Sequence, residues 1–286
     1  MSGPGGATAF VLAGGGSLGA IQVGMLRSLL AAGVRPDLLV GTSVGAINAA
    51  YSASDPTLDG LNRLSALWRR LRRREVFPLS VPVAIRGILG RRDHLFPAHG
   101  LRRVLEAQFG DTRLEALGLP CIIVASDLRD GTEVVLRTGP VVDALLASTA
   151  IPVVFPPVRT SGRPLVDGAV ANNAPISTAL GLGARRVVVL PTGFSCAADP
   201  PGGAIGMVLH TMTLLVARQL TTDVAWLADT AEIAIVPPLC PLPVSAYDFS
   251  QAAALEARAA DATAAWIAHG GLESRTIPTT LHPHHH

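Results

Sequence analysis

Two short apolar runs, each stopped by glycine and each followed by aliphatic residues at helical spacing, set the tightest limit on what this chain can fold into. Residues 7–13 (ATAFVLA) end at Gly14-Gly15-Gly16, which reads as a buried strand closing in a tight turn. Over residues 19–32, Ile21, Met25 and Leu29, with Leu26 and Leu30, recur at helical spacing, and Gly33 stands where a helix would end. Residues 38–40 repeat the strand signal and run at once into Gly41-Thr42-Ser43-Val44-Gly45 and an Ala-rich helix. Strand, glycine turn and helix, twice over, is the start of a parallel α/β sheet.

The rest of the chain extends that pattern. A helix is expected over 58–74, ending in the basic run Arg69, Arg70, Arg72, Arg73 and Arg74. Residues 78–97 lack clean periodicity and read as a mobile or capping segment; 100–109 read as helix. Residues 121–126 and 132–137 bracket Asp130-Gly131, a hairpin signal. A helix is expected over 141–148, and the Pro-rich stretch 151–158 excludes one. Further strands are expected at 165–167, 186–190 and 232–236, a buried helix at 202–220 and a last helix at 251–268. No repeat or low-complexity linker divides the sequence. One domain over 1–286 is expected, with the motifs in about 8–195 and a helical segment over about 203–270.

Composition narrows the function classes. Hydrophobic residues make up 49% and charged residues 15%, which argues against disorder. A formal charge of +2 is too small to suggest nucleic acid as a partner. All 23 basic residues are Arg, so Lys is excluded as base or Schiff-base former. Cys121, Cys196 and Cys240 stand in no metal-ligand spacing and fit reduced thiols in a cytoplasmic protein. The segment MSGPGGATAF lacks a basic n-region and a long apolar h-region, so no signal peptide is expected, and no apolar run is long enough for a transmembrane helix.

Three motifs carry chemistry. In Gly14-Gly15-Gly16-Ser17-Leu18-Gly19, glycines let backbone N–H groups approach an anion at a helix start. A dinucleotide site would need an acid at the end of the next strand. The nearby acid, Asp37, precedes that strand, which counts against this reading. An oxyanion hole uses the same N–H geometry, and a glycine turn without ligand is the third reading. In Gly41-Thr42-Ser43-Val44-Gly45 a strand-to-helix turn would lift the Ser43 hydroxyl clear, with glycines avoiding clashes, as a nucleophile elbow does. Asp167-Gly168-Ala169 follows an apolar strand. Taken alone it is a turn, like Asp59-Gly60 and Asp130-Gly131.

Taken in order, G-x-G-x-x-G, then G-x-S-x-G roughly 25 residues later, then D-G-[GA], the sequence resembles the patatin-like phospholipase family. Ala147-Ser148-Thr149-Ala150-Ile151-Pro152, Phe155-Pro156-Pro157-Val158, Asn173 and Pro175 match the same pattern. The resemblance covers about residues 8–195. It implies a three-layer α/β/α sandwich with a mainly parallel central sheet, and a lipid or ester substrate cleaved by a Ser43–Asp167 dyad without His. Ser43 would attack the ester carbonyl, and Asp167 would take its proton and return it to the leaving alcohol. The amides of Gly15, Gly16 and Ser17 would hold the oxyanion; Gly14, Gly19, Gly41, Gly45 and Gly168 are the motif glycines. No metal or cofactor is implied. A carboxylate has a reference pKa of about 4, low for a general base, and burial among apolar strand residues would raise it. Leu18 stands where many members carry Lys or Arg. It removes a contact to a lipid phosphate and makes a neutral glycerolipid or simple ester an equal candidate.

Other readings compete. His210 and His269 follow Asp167 in the chain order of a Ser–His–Asp α/β-hydrolase, but the serine elbow comes after one βα unit, early for that fold. His269 reads as a helix-dipole partner, His210 as a helix-surface or packed residue, and His94 and His99 as solvated. An acyltransferase would use the same acyl-enzyme. A non-catalytic lipid-binding module would leave Ser43 a turn residue and meet anionic head groups through Arg69–Arg74, with Arg91-Arg92 and Arg102-Arg103. The plain reading of that basic run is a solvated helix face, and peripheral membrane contact is the functional one. The oligomeric state is left open.

Overall fold

The computed structural model describes residues 6–77, 93–193, 203–227, 230–274 and 277–278. Strand β1 (Ala7–Leu12) stops at the glycines, and a single 3-10 turn (Gly16–Leu18) leads into α1 (Gly19–Ala31). β2 (Leu38–Thr42) passes through Ser43 into α2 (Val44–Ser54), followed by α3 (Leu58–Arg70) and α4 (Arg73–Val76). The expected helix over 58–74 is thus two helices. Leu71 is extended at ψ 133°, its side chain turns inward, and the Arg72 amide restarts the chain against the Glu75 carboxylate at 2.7 Å. After α5 (His99–Phe109) come β3 (Cys121–Asp127), β4 (Glu133–Leu136) and α6 (Val141–Ser148). Most of the expected capping segment, residues 78–92, lies outside the described residues.

β5 (Val158–Thr160) and β6 (Arg163–Asp167) precede α7 (Ile176–Gly181), β7 (Ala184–Leu190), α8 (Ala204–Leu227), β8 (Glu232–Ile235) and α9 (Ala252–Ala268). β5 and α7 carry no sequence signal of their own, being three and six residues long. The helix expected over 202–220 forms but is not buried. It runs to Leu227 and holds one stripe, including Leu220 and Val224, against the sheet, while Met207, Val208, Leu214, Leu215 and Trp226 face outward. Among the described residues no helix is long and apolar enough to cross a membrane.

The strands join as β5-β6-β3-β2-β1-β7-β8, with β4 also paired to β3. β3, β2, β1, β7 and β8 are mutually parallel; β4 and β6 run antiparallel to β3. Alternation sorts the side chains by face. Phe10 and Leu12 enter the core under α1, α2, α3 and α9, whereas Ala9 and Val11 enter the core under α7 and α8. The result is helices on both faces of a mainly parallel sheet, an α/β/α sandwich.

One register places the site. Ile123 and Val124 of β3 pair with β2 on one edge and β4 on the other, while Ala125 and Ser126 pair with β4 and with β6. β6 therefore takes over the edge of β3 that β2 leaves when its chain turns at Ser43. Thr42 is opposite Val124 and Asp167 opposite Ala125. Adjacent rungs of one strand thus bring the residue after Thr42 level with Asp167.

Candidate active site

Ser43 sits at the turn between β2 and α2 with φ 54° and ψ −125°, a backbone that a side chain bearing Cβ adopts at a cost. The strain is held by the surroundings. The Ser43 amide donates to the Ser148 hydroxyl at 2.8 Å, which itself donates to the Val124 carbonyl at 2.6 Å. The Thr42 hydroxyl donates to the Asn172 carbonyl at 2.9 Å. Gly45 is required by proximity, since a Cβ there would strike the Leu12 carbonyl.

The Ser43 hydroxyl donates to Asp167 Oδ2 at 2.7 Å, and Oδ1 accepts the Ala169 amide at 2.9 Å. The Asp167 backbone is fixed as well, its amide bonded to the Ala150 carbonyl and its carbonyl to the Ser126 hydroxyl. Asp167 is 4% exposed. Burial pushes its carboxyl up to about 6, against the lowering pull of the Ala169 and Ser43 hydrogen bonds. A carboxyl held there is charged above neutral pH and poorly solvated, the state a general base needs.

The glycine turn faces the same space. Gly14 is held by the carbonyl and side chain of Asn173, and its own carbonyl accepts the Thr192 hydroxyl at 2.8 Å. The Gly15 and Gly16 amides have no acceptor among the described residues, and both residues line the cavity that holds Ser43 and Asp167. The Ser17 amide, expected as a third donor to that cavity, is instead committed to the Ala246 carbonyl at 2.8 Å. That contact needs glycine at 16, where φ is 59° and a Cβ would meet the same carbonyl. Gly19, Gly41 and Gly168 pack as closely against Trp68, Ala46 and Val124.

Leu18 is fully buried in the core beneath α1. Its side chain therefore does not line the cavity at Ser43. His210, on α8, and His269, which caps α9 and contacts the Ala265 carbonyl at 2.7 Å, do not line the cavity that holds Ser43 and Asp167. His99 is exposed, but His94, expected to be solvated, is mostly covered and paired with Asp93 at 2.7 Å. Arg69, Arg70, Arg72, Arg73 and Arg74 are exposed, as are Arg102 and Arg103. Arg69 also reaches Glu256 at 3.3 Å, and Arg72 caps the Arg69 carbonyl at 2.8 Å. Arg91 and Arg92 lie outside the described residues. Among the described residues no group of three or more His, Cys, Asp or Glu could hold a metal ion.

Several residues at the cavity have no sequence signal, Thr192 and Tyr247 among them. Tyr247, from the loop before α9, lines it, and burial together with the Asp167 charge pushes its phenol up to about 12. The hydroxyl stays protonated and has no hydrogen-bond partner among the described residues. Ser148, by contrast, lies in a segment already matched by pattern, although nothing in the pattern assigns it the elbow amide.

A family model described as patatin-like phospholipase matches residues 10–180. Patatin-like phospholipase domain-containing protein 7 of Rattus norvegicus is 28% identical over 194 residues, 66% of this chain and 14% of that protein. An uncharacterized NTE family protein of Mycobacterium tuberculosis is 33% identical over 171 residues, 58% of this chain and 27% of that one. This chain thus spans only a small part of the length of these relatives. The fold is similar to that of VipD from Legionella pneumophila, with a TM-score of 0.51 at 14% identity, covering 96% of this chain and 68% of that one. The glycine turn, the serine elbow and the Asp-Gly turn that meet at Ser43 all lie within the matched span, and the chain belongs to the patatin-like phospholipase family.

Proposed function

We propose that this chain is a lipid acyl hydrolase that cleaves carboxylic esters through Ser43 and Asp167. The observation that carries the reading is the 2.7 Å hydrogen bond from the Ser43 hydroxyl to a buried Asp167 carboxylate. In this reading Ser43 Oγ attacks the ester carbonyl while Asp167 Oδ2 takes its proton. The negative charge that develops on the carbonyl oxygen meets the unpartnered amides of Gly15 and Gly16. Collapse expels the alcohol, which takes the proton from Asp167 and leaves an ester on Ser43. Water then attacks that ester with the same carboxylate as base, releasing the acid and restoring the dyad.

Family membership and the φ of 54° at Ser43 both favour catalysis over a turn residue in a lipid-binding module, which has no use for a strained serine. A serine-reactive fluorophosphonate should label wild type at Ser43 and leave Ser43→Ala unlabelled. Ser43→Ala and Asp167→Asn should each lose ester and phospholipid hydrolysis across a substrate panel. Ester hydrolysis that survives in Ser43→Ala would remove this mechanism.

A further inference from the structure

Three polar side chains lie buried between the glycine turn and the helix that follows Ser43. Gln22 and Asn48 are fully buried and Trp68 is nearly so. Gln22 is in the first turn of α1, Asn48 is on α2 and Trp68 is on α3. The Trp68 indole N–H donates to Asn48 Oδ1 at 2.9 Å. The Asn48 amide nitrogen donates to Gln22 Oε1 at 2.8 Å and to the Gly19 carbonyl at 2.9 Å. The Gln22 amide nitrogen donates in turn to the Ala13 carbonyl at 2.8 Å and to the Leu190 carbonyl at 2.9 Å.

The two ends of this chain of bonds decide its direction. An indole N–H can only donate and a backbone carbonyl can only accept. Neither amide can therefore turn over without setting donor against donor and acceptor against acceptor. The dipoles run one way, from Trp68 to the carbonyls, and each bond polarises the next. Two of those carbonyls flank the glycine turn, Ala13 before it and Gly19 after it. No backbone N–H among the described residues reaches the Ala13 carbonyl, and Gln22 supplies its donor. Packing tightens the same junction, since a Cβ at Gly19 would strike both Val44 and Trp68.

We propose that Gln22, Asn48 and Trp68 are positioning residues for the oxyanion hole, fixing the Gly15 and Gly16 amides relative to Ser43 Oγ. This rests on the hydrolase reading above and names what holds its oxyanion donors in place. Gln22 and Asn48 do not line the cavity that holds Ser43 and Asp167, so they act on the reaction through the backbone they grip. Joining three helices does not by itself call for this chemistry. Apolar side chains of similar volume would do so without desolvating two amides. What the amides add is a single geometry between the turn and the nucleophile helix. Catalysis needs that geometry, because oxyanion donors must stand about 3 Å from the developing charge and a misplacement of about 1 Å costs about a hundredfold.

Gln22→Met and Asn48→Leu keep much of the side-chain volume and remove the hydrogen bonds. Each is compared with wild type on a carboxylic ester and on its thiono analogue, in which sulfur replaces the carbonyl oxygen. Rates are expressed per site that a fluorophosphonate labels at completion. Sulfur is a weak acceptor, so an intact oxyanion hole favours the oxygen ester and a displaced one loses part of that preference. Each variant should lose about tenfold to a hundredfold in kcat with KM within about twofold, and the oxygen-over-sulfur ratio of kcat should fall with it. The double variant should be about as slow as the slower single one, because both residues act in one network. Wild-type kcat and ratio in the labelled variants would reduce the network to packing and overturn the proposal. A fall in kcat at constant ratio overturns it as well, since the loss then lies outside the oxyanion hole. Trp68→Phe keeps both amides and removes one N–H, so it carries the same test where the other variants do not fold. Its ratio should fall by a smaller factor, and an unchanged ratio there again overturns the proposal. No labelling of Ser43 in wild type overturns the hydrolase reading, and this inference with it.

Discussion

Asp167→Asn separates the chemical use of the buried carboxylate from what its burial costs the fold. In the folded chain the carboxyl is raised from 3.8 to about 6. The folded state therefore binds the proton more tightly than the unfolded chain does. That preference favours folding fully below pH 3.8 and is lost as pH rises through about 6. The difference of about two units corresponds to about 3 kcal/mol of stability absent at pH 8 and present at pH 4. Asparagine has nearly the same shape, its Oδ1 can keep the Ala169 amide, and its NH2 can donate to a rotated Ser43 hydroxyl. It carries no charge to bury. Asp167→Asn should accordingly be about 2–3 kcal/mol more stable than wild type at pH 8, with the difference shrinking to near zero at pH 4. Denaturant unfolding of the two proteins at half-unit steps between these limits measures it. The same carboxyl should make wild-type kcat/KM rise about tenfold per pH unit up to about 6 and then level. A stability difference that stays constant with pH, or a variant less stable than wild type at pH 8, would refute the claim that a desolvated charge sits at Asp167.

Other perturbations probe separate parts of the argument. His210→Ala and His269→Ala should each keep kcat within about twofold of wild type, whereas loss of a triad base costs orders of magnitude; a large fall in either would restore a histidine to the mechanism. Ser148→Ala removes the hydroxyl that holds the Ser43 amide and should cost about 1–3 kcal/mol of stability for the orphaned buried amide, together with a fall in kcat; calorimetry beside ester kinetics reads both. Glu256 is buried and takes Ser65 at 2.6 Å, Arg27 at 3.1 Å and Arg69 at 3.3 Å, so Glu256→Ala should destabilise by about 3 kcal/mol. Neutralising Arg70, Arg73 and Arg74 together, while leaving Arg69 on Glu256, should weaken binding to anionic vesicles by about 1 kcal/mol per charge; unchanged vesicle sedimentation would make the run a solvated helix face only.

How much of this could be read from sequence depends on how local each cause is. β1 and β2 were legible because apolar runs halted by glycine need no partner to be recognised, and Ser43 was legible because its elbow is written in five consecutive residues. The break at Leu71 was not legible. Leu64, Leu67 and Leu71 keep helical spacing, so periodicity carries a helix through a point where the chain turns. The same ambiguity hid the outward face of α8, since an apolar helix looks alike in sequence whether its second face meets protein or solvent. The Ser17 amide was lost to Ala246, and Tyr247 gained, through one loop more than 200 residues further on that carries no motif of its own.

The meeting of Ser43 with Asp167 lies between these extremes. The two residues are 124 apart, and nothing in that spacing requires contact; the family resemblance supplied the pairing, and β3 supplies its physical cause. Because β2 pairs with β3 only as far as Thr42, the edge beyond is open for β6, and the antiparallel register sets Asp167 one rung further on. The same substitution of one strand for another encloses the carboxylate, so that its position and its raised pKa have one origin. In the proposed mechanism Asp167 needs no imidazole to reach a pKa near neutral, because its burial already raises it. The cost falls on stability, which is why the Asp167→Asn measurement bears on the mechanism as much as on the fold. If the raised pKa came from a neighbouring charge instead, salt would shift it; as a burial effect it should hold steady as ionic strength rises.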